Sequence, residues 1–165
     1  MKITPLSKQN IKQTARIYAQ GLLLETPPGA SESFDELVES IEPHLQNALR
    51  EDNRKIWLAT VRNSVKGLLD FYHRPEELFI RFVCAIPPQQ GTGTWLLRQL
   101  AQYGVAHQIG IIKATVSSID SRAQQFYFQH LGFQKKGIRF EEPGFDLILA
   151  EISPQILLEI SSRFG

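Results

Sequence analysis

The chain has 165 residues, 42% of them hydrophobic and 21% charged, with a formal net charge of +1. Those values imply one domain, residues 1–165, that buries its own core. They exclude a disordered chain, or one drawn electrostatically to nucleic acid or to an anionic membrane, so neither is expected as a partner. No apolar run approaches the length of a transmembrane helix, and Met1-Lys2-Ile3-Thr4-Pro5 lacks the apolar core of a signal peptide. A cytoplasmic protein is therefore expected.

In chain order, Met1 to Leu6 predicts a short strand ending at Pro5. Ser7 is the expected N-cap of a first helix, with Ile11, Ala15, Ile17-Tyr18 and Leu22 at helical spacing. The segment Leu22-Leu23-Leu24-Glu25-Thr26-Pro27-Pro28-Gly29-Ala30 reads as loop. A second helix from about Glu32 to Arg50 carries one apolar stripe, which Pro43 should kink or split. Lys55–Val61 and Val65–His73 predict a hairpin turning at Arg62-Asn63-Ser64. Leu78–Ile86 is nearly all apolar, as in a strand buried on both faces. It contains the only cysteine, Cys84, which excludes an intrachain disulfide and any multi-cysteine metal site, and which suits a small buried hydrophobe better than a nucleophile.

A helix follows Gly93 and stops near Gly110, with Gly104 a weak point unless something packs closely there. Ile111–Ser117 is a fifth strand. Ser118-Ile119-Asp120 offers a cap for a helix over Ser121–His130, and Gly132 fits the left-handed position that ends it. Phe133–Phe140 and Phe145–Ile152 predict two further strands, separated by Glu141-Glu142-Pro143-Gly144. Ser153-Pro154 opens a terminal helix. The order is mixed α/β around one sheet.

The stretch Pro87-Pro88-Gln89-Gln90-Gly91-Thr92-Gly93-Thr94-Trp95-Leu96-Leu97-Arg98-Gln99-Leu100 carries the strongest chemical suggestion. A strand, a glycine-rich turn and a helix N-terminus together favour an anion. The first helical N–H groups lack intrahelical partners, the dipole is positive there, and glycine admits close approach to the backbone. The ligand it invites is a phosphate or pyrophosphate, with Thr92 and Thr94 adding hydroxyl donors. Gly-Thr-Gly before a helix is equally the form of a tight turn and its cap, and on these residues alone both readings stand.

A second segment decides the comparison: Asp120-Ser121-Arg122-Ala123-Gln124-Gln125-Phe126-Tyr127-Phe128-Gln129-His130-Leu131-Gly132-Phe133. It resembles the Asn-x-x-Ala-x-x-Phe-Tyr…Leu-Gly-Phe segment of the GCN5-related N-acetyltransferase (GNAT) superfamily. Gln90-Gly91-Thr92-Gly93 leading into Leu96-Leu97 is similar to that family's pyrophosphate turn, (Gln/Arg)-x-x-Gly-x-(Gly/Ala) before a Leu-Leu helix. Two registers of the turn are open. Gln90 can stand first, which puts Trp95 where the family has a small residue. Alternatively Gly91 and Gly93 are the two motif glycines, with the turn two residues short and Pro88 in the Gln/Arg place. The second is preferred, because a bulky indole is awkward where backbone meets phosphate. Asp120 also departs from the family's Asn, since it cannot donate and adds negative charge.

The resemblance implies a single twisted, mostly antiparallel sheet of about six to seven strands with a splayed parallel central pair, flanked by about four to five helices. It implies direct transfer of an acetyl group from acetyl-CoA to a primary amine, without a metal. The donor's binding residues would be Val83, Cys84 and Ala85, then Gln89, Gln90, Gly91, Thr92, Gly93 and Thr94, then Ser118, Asp120, Ala123 and Tyr127. A backbone N–H near Val83–Ala85 would polarise the thioester carbonyl. Tyr127 matches the family's general acid for the departing thiolate, a task suited to a phenol with an ordinary pKa of about 10. Arg81 stands near the place where many members carry a Glu base. Glu25 in the early loop, Asp70 and His73 are the remaining base candidates, though each also reads as solvated surface, and relay of the proton by water is an equal alternative. His107 and His130, at helix ends, suit a surface role better than chemistry. Leu24, Glu25, Asp70 and Phe145 are the expected acceptor-binding residues, giving an apolar pocket edged with carboxylates for a cationic amine. The family also implies a homodimer. A competing expectation is a non-catalytic relative that binds CoA as a sensor or serves association, motivated by the altered turn, Asp120 and the missing base.

Overall fold

The computed structural model describes residues 1–25, 33–142 and 145–164, without the side chains of residues 140–142 and 145. Its strands are β1 (Lys2–Pro5), β2 (Arg54–Val61), β3 (Ser64–His73), β4 (Glu77–Ala85), β5 (Ile111–Ser117), β6 (Gln134–Glu142) and β7 (Phe145–Ile152). They form a seven-stranded sheet in the order β1-β2-β3-β4-β5-β7-β6. The helices are α1 (Ile11–Glu25), α2 (Phe34–Ala48), α3 (Thr92–Ala106), α4 (Ser121–Gln124) and α5 (Pro154–Ser162), with a π-helical turn over Gln125–His130. The described chain divides into two compact units, Met1–Tyr72 with Phe82–Gly93, and His73–Arg81 with Thr94–Gly165.

In the first unit β1, β2 and β3 are antiparallel neighbours. Arg62 and Asn63 both take positive φ, 47° and 66°, the backbone that a two-residue hairpin turn requires to match strand twist. The core joins α1 and α2 to the sheet through Ala15, Tyr18, Ala19, Ile41 and Leu45, with Ile56, Leu58 and Leu68 from the strands. Fully burying a leucine among these contributes about 1.5–3 kcal/mol. The Ser33 hydroxyl accepts from the Glu36 N–H, and the Glu36 carboxylate accepts from the Ser33 N–H, a reciprocal cap that starts α2 at Phe34.

Three expectations need correction here. Pro43 does not split α2, which runs through it from Phe34 to Ala48. The carbonyl its missing N–H would have served belongs to Glu39, an exposed position that water can reach. Ser7 does not cap α1. Asn10 directly precedes the helix, its carbonyl accepting from Thr14 N–H, while its side-chain oxygen accepts from Ser7 N–H and its amide donates to the Pro5 carbonyl. The apolar run after Leu22 continues α1 as far as Glu25, so Glu25 is helical, and residues 26–30 of the expected loop lie outside the described residues.

In the second unit the start of β4 pairs in parallel with β5, from Glu77↔Ile111 to Ile80↔Ala114, and β7 pairs antiparallel with β5 and β6. Leu78, Ile80, Ile112, Ala114, Val116, Ile148, Ala150 and Ile152 form its buried face. The alternate positions carry charge: Lys113 Nζ lies 3.0 Å from Glu77, whose other oxygen accepts from Arg74 at 3.1 Å. β4 is therefore not buried on both faces. Its burial alternates, and Arg81 is exposed. α3 buries Leu96, Leu97, Leu100 and Ala101 as one stripe.

Gly104, the expected weak point of α3, has the close neighbour its presence calls for. A Cβ there would stand 2.9 Å and 3.1 Å from the Pro154 ring and 3.3 Å from Leu78. Gly104→Ala will therefore lower stability, although alanine is the better helix former by roughly 1 kcal/mol. Chemical denaturation of the variant and the parent checks the sign.

Candidate active site

β3 and β4 meet in the first unit where a side chain has been removed. A Cβ on Gly67 would stand 2.4 Å from the Cys84 carbonyl oxygen and 3.0 Å from the Thr92 methyl. The Ile86 N–H donates to the Lys66 carbonyl at 2.8 Å, which holds the end of β4. The chain then turns with Gln89 at φ 65° and Gly91 at φ 83°. Left-handed residues alternating with right-handed ones turn successive N–H groups toward one side, the arrangement of an anion-binding nest. Nothing lies within 4 Å of a Cβ built on Gly91, so the space before the turn is open. Gln89, Gln90 and Gly91 are exposed. Thr92 and Thr94 are buried, at 4% and 9% exposure, in the first turn of α3. Their hydroxyls are thus less accessible than the sequence suggested, and the backbone offers the more open donors.

α1 closes on the same stretch of β4. A Cβ on Gly21 would lie 2.7 Å from both Cβ and Sγ of Cys84 and 3.0 Å from the Phe82 ring. Glu25, four residues on and so on the same helix face, is exposed at the end of α1. Burial, the backbone hydrogen bond with Leu68 and the charge of Glu25 together leave the Cys84 thiol pushed up to about 12, burial being the largest influence. This thiol is a packing group, as its surroundings in the sequence implied. Leu23 and Leu24 stand exposed on the last turn of α1.

Asp70 is neither solvated nor open to an acceptor. It is wholly buried, with Arg54 Nε and Nη2 donating to its two oxygens at 3.0 Å and 2.8 Å, and the Tyr18 hydroxyl donating at 2.9 Å. Burial alone would lower the affinity of Arg54 for its proton. The hydrogen bond and charge of Asp70 outweigh that and hold the guanidinium above its ordinary range. A carboxylate so engaged is a structural anchor.

In the second unit Asp120 occupies the cap position. Its carboxylate accepts from the Ala123 N–H at 3.0 Å, and Gln124 Nε2 donates to the carbonyls of Ser117 and Ser118. The negative charge of Asp120 thus serves the helix N-terminus, and the Ala123 N–H is already engaged. The expected helix over Ser121–His130 divides: the Leu131 N–H reaches back five residues to Phe126 at 3.0 Å, and the Phe133 N–H bonds the Tyr127 carbonyl at 2.9 Å. Gly132 ends the segment at φ 76°, as its place after the helix predicted. π-turns recur at functional sites because the extra residue re-aims side chains. Tyr127 is the buried residue of this turn, 7% exposed, with Phe126 and Phe133 edge-on to its ring.

His130 departs from its expected surface role. It is half-buried, its Nε2 stands 3.0 Å from Thr94 Oγ1, and the Phe164 ring lies over it at 4.1 Å. His73, a base candidate, has its Nδ1 2.6 Å from the Tyr103 hydroxyl, whose own proton burial holds more tightly than usual. Among the other expected residues, Val83, Cys84 and Ala85 are half-buried on β4 and Ser118 is exposed. The Phe145 side chain lies outside the described residues.

The acetyltransferase (GNAT) family model matches residues 20–133. The chain belongs to that family. GNAT membership makes it an acyltransferase, and solved structures agree on the fold. An acetyltransferase of the GNAT family from Desulfovibrio desulfuricans superposes with a TM-score of 0.76 at 15% identity, over 93% of this chain and 98% of that one. The PaiA N-acetyltransferase from Thermoplasma acidophilum, in complex with coenzyme A, gives 0.72 at 14% identity, over 93% and 99%. The ribosomal-protein-S18-alanine N-acetyltransferase from Escherichia coli gives 0.70 at 15%, over 92% of each chain. No curated protein matches by sequence. Among the described residues no helix is long and apolar enough to cross a membrane.

The residues that sequence reasoning missed in this GNAT chain are Gly21, Gly67 and His130. The two glycines carry no local signal, because each is required by a partner distant in sequence. His130 does carry one, since it follows Tyr127 by three residues on one helical segment.

Two outcomes follow from this geometry. Asp70→Ala will cost about 3–5 kcal/mol in urea unfolding, the penalty for leaving a buried guanidinium unpaired. Cys84 will resist iodoacetamide in the native protein at pH 8: a thiol held near pKa 12 is thiolate in roughly one molecule in ten thousand, and only the thiolate reacts. The rate, followed by mass spectrometry, will rise with pH up to the onset of unfolding.

Proposed function

We propose that the chain acts as one GNAT domain, residues 1–165, which transfers an acetyl group from acetyl-CoA to a primary amine borne on an apolar body. The observation that carries this reading is the open backbone turn Gln89–Gly91 at the start of α3, within the stretch the family model matches. The turn fits the pyrophosphate of a CoA thioester: two left-handed residues present N–H groups, and an unfilled space lies before Gly91. When bound, acetyl-CoA supplies the acetyl group as a thioester.

The chain's own residues then have three tasks. Backbone groups of Val83–Ala85 hold the acyl arm, and an N–H among them stabilises the oxygen that becomes negative as the amine attacks. The Tyr127 hydroxyl gives its proton to the departing sulfur. Glu25 takes the proton that the amine must lose. Glu25 is exposed at the end of α1, on the helix face that meets Cys84 at Gly21, and its charge acts on that thiol, which brings it toward the proposed acyl arm. Exposed Leu23 and Leu24 beside Glu25 favour an acceptor with an apolar body next to its amine. Structural relatives include a spermidine N-acetyltransferase from Vibrio cholerae and the S18-alanine enzyme, so amines on small molecules and on protein chains are both worth testing.

Saturating acetyl-CoA, at about 100 times its Kd, will raise Tm by roughly 5–10 °C. No shift at millimolar acetyl-CoA overturns the donor assignment. With an acceptor found by a thiol-release screen, Tyr127→Phe will lower kcat about 10²–10⁴-fold while leaving acetyl-CoA binding intact. Unchanged turnover would remove the phenol from the mechanism.

A further inference from the structure

The first unit buries a polar chain that the proposed chemistry leaves unused. Arg54 donates from Nε and Nη2 to the two oxygens of Asp70, and the Tyr18 hydroxyl donates to Asp70 Oδ2 at 2.9 Å. Asp70 is wholly buried, and Tyr18 is 9% exposed. A buried ion pair adds little stability over apolar residues of the same volume. What it supplies is direction, because the guanidinium fork fixes the plane of the carboxylate and so the place of the hydroxyl bonded to it.

The ring of Tyr18 rests on β4. It stacks on Phe82 with 4.6 Å between centroids and 14° between planes. Gly21, three residues on and so on the same face of α1, is where a Cβ would stand 2.7 Å from Cys84 Sγ and 3.0 Å from the Phe82 ring. The Ile17 carbonyl lies 3.9 Å from that same sulfur. Phe82 and Cys84 are alternate residues and share one face of the strand, so α1 grips β4 at two points. Gripping both fixes the rotation of the strand about its own axis, and that rotation decides where the N–H groups of Val83–Ala85 point. β4 pairs with β5 over Glu77–Ile80, and Phe82 begins the portion of the strand that belongs to the first unit.

We propose that Tyr18 is a positioning residue for acyl transfer: anchored to Asp70 through its hydroxyl, it sets, by its stack on Phe82, the direction of the Val83–Ala85 N–H groups toward the thioester carbonyl of the donor. This rests on the acyl-arm assignment above and deepens it. Tyr18 acts through the backbone of β4 and gives no atom of its own to the donor. Arg54, Asp70, Tyr18 and Phe82 all belong to the first unit, so the whole device lies on the elements that carry the proposed acyl arm.

The test uses the full chain and acetyl-CoA, with and without a ¹³C label at the thioester carbonyl. The difference between the two infrared spectra isolates the carbonyl stretch, which falls in frequency when the oxygen accepts a hydrogen bond. Bound to the parent, the stretch will lie below its value in free acetyl-CoA. Tyr18→Phe keeps the ring stack and removes the bond to Asp70. It will move the stretch back toward the free value and leave CoA affinity unchanged, since the pyrophosphate turn is untouched. Amides of Val83–Ala85 will also exchange faster with deuterium in this variant, as a less constrained strand does. Ile152→Val, a core truncation in the second unit, will lower stability without moving the stretch.

A stretch in Tyr18→Phe identical to that of the parent overturns the inference while the donor assignment stands. The same return toward the free value in Ile152→Val also overturns it, since lost stability alone would then move the carbonyl. A parent that binds acetyl-CoA with its carbonyl at the free value removes the N–H contact from the proposed function, and this inference with it. A parent that binds no acetyl-CoA overturns the donor assignment itself.

Discussion

Close packing at Cys84 is the constraint on which the first unit depends. Two neighbouring elements omit a side chain there: α1 at Gly21, where a Cβ would meet the cysteine at 2.7 Å, and β3 at Gly67, where it would meet the cysteine carbonyl at 2.4 Å. Glycine elsewhere in a helix or strand costs stability. At these positions it lets backbone approach backbone, and the burial gained offsets the cost. The consequence extends past packing, because the segment so clamped, Val83–Ala85, is the one proposed to hold the acyl arm. An acyl-transfer site needs its hydrogen-bond donors fixed before the substrate arrives, and a strand pinned from two directions meets that need.

The proposed donor site has a similar economy. Its turn does not depend on charged side chains, and the threonines beside it are mostly buried. What it offers an anion is oriented backbone: left-handed Gln89 and Gly91, then the unsatisfied N–H groups opening α3. Oriented backbone of this kind would let a chain with a net charge of only +1 hold an anion. The Asp120 substitution is understandable in the same terms. A carboxylate is as good an N-cap as an asparagine, and its charge is spent on the Ala123 N–H and the α4 N-terminus.

Where the sequence was legible, the determining interactions were local. Ser153-Pro154 opens α5 with the Ser153 hydroxyl accepting from Ile156 N–H, Gly132 takes the left-handed conformation, and β5 spans Ile111–Ser117 as its apolar residues indicate. The family motifs placed the turn and Tyr127 on the elements expected of them. Where the reading failed, a distant partner or a competing local bond had decided the matter. Asp70 looked solvated because its partners, Arg54 and Tyr18, lie sixteen and fifty-two residues away in sequence. Ser7 stands too far before α1, which starts at Ile11, and its N–H is taken by the side chain of Asn10. The π-turn was invisible because an extra backbone residue leaves the apolar spacing of Phe126-Tyr127-Phe128 unchanged in the sequence.

The proposed choice of Glu25 as proton acceptor is consistent with the position of α1 on β4. Many GNAT members resemble one another in placing a Glu near the position that Arg81 holds here. A guanidinium cannot accept a proton from an amine, so the base proposed for this chain comes from another element. Asp70 is wholly buried, and its two oxygens are taken by the Arg54 guanidinium, which makes it an anchor of the first unit. His73 is tied to a phenol. α1 approaches β4 closely at Gly21, and Glu25, one turn on, lies on the same helix face, near enough for its charge to disfavour the Cys84 thiolate. The glycine that permits this packing is therefore what brings a carboxylate to the proposed acyl arm. It also accounts for the state of Cys84: largely buried and beside a negative charge, the thiol stays protonated, as the proposed direct transfer to the amine requires.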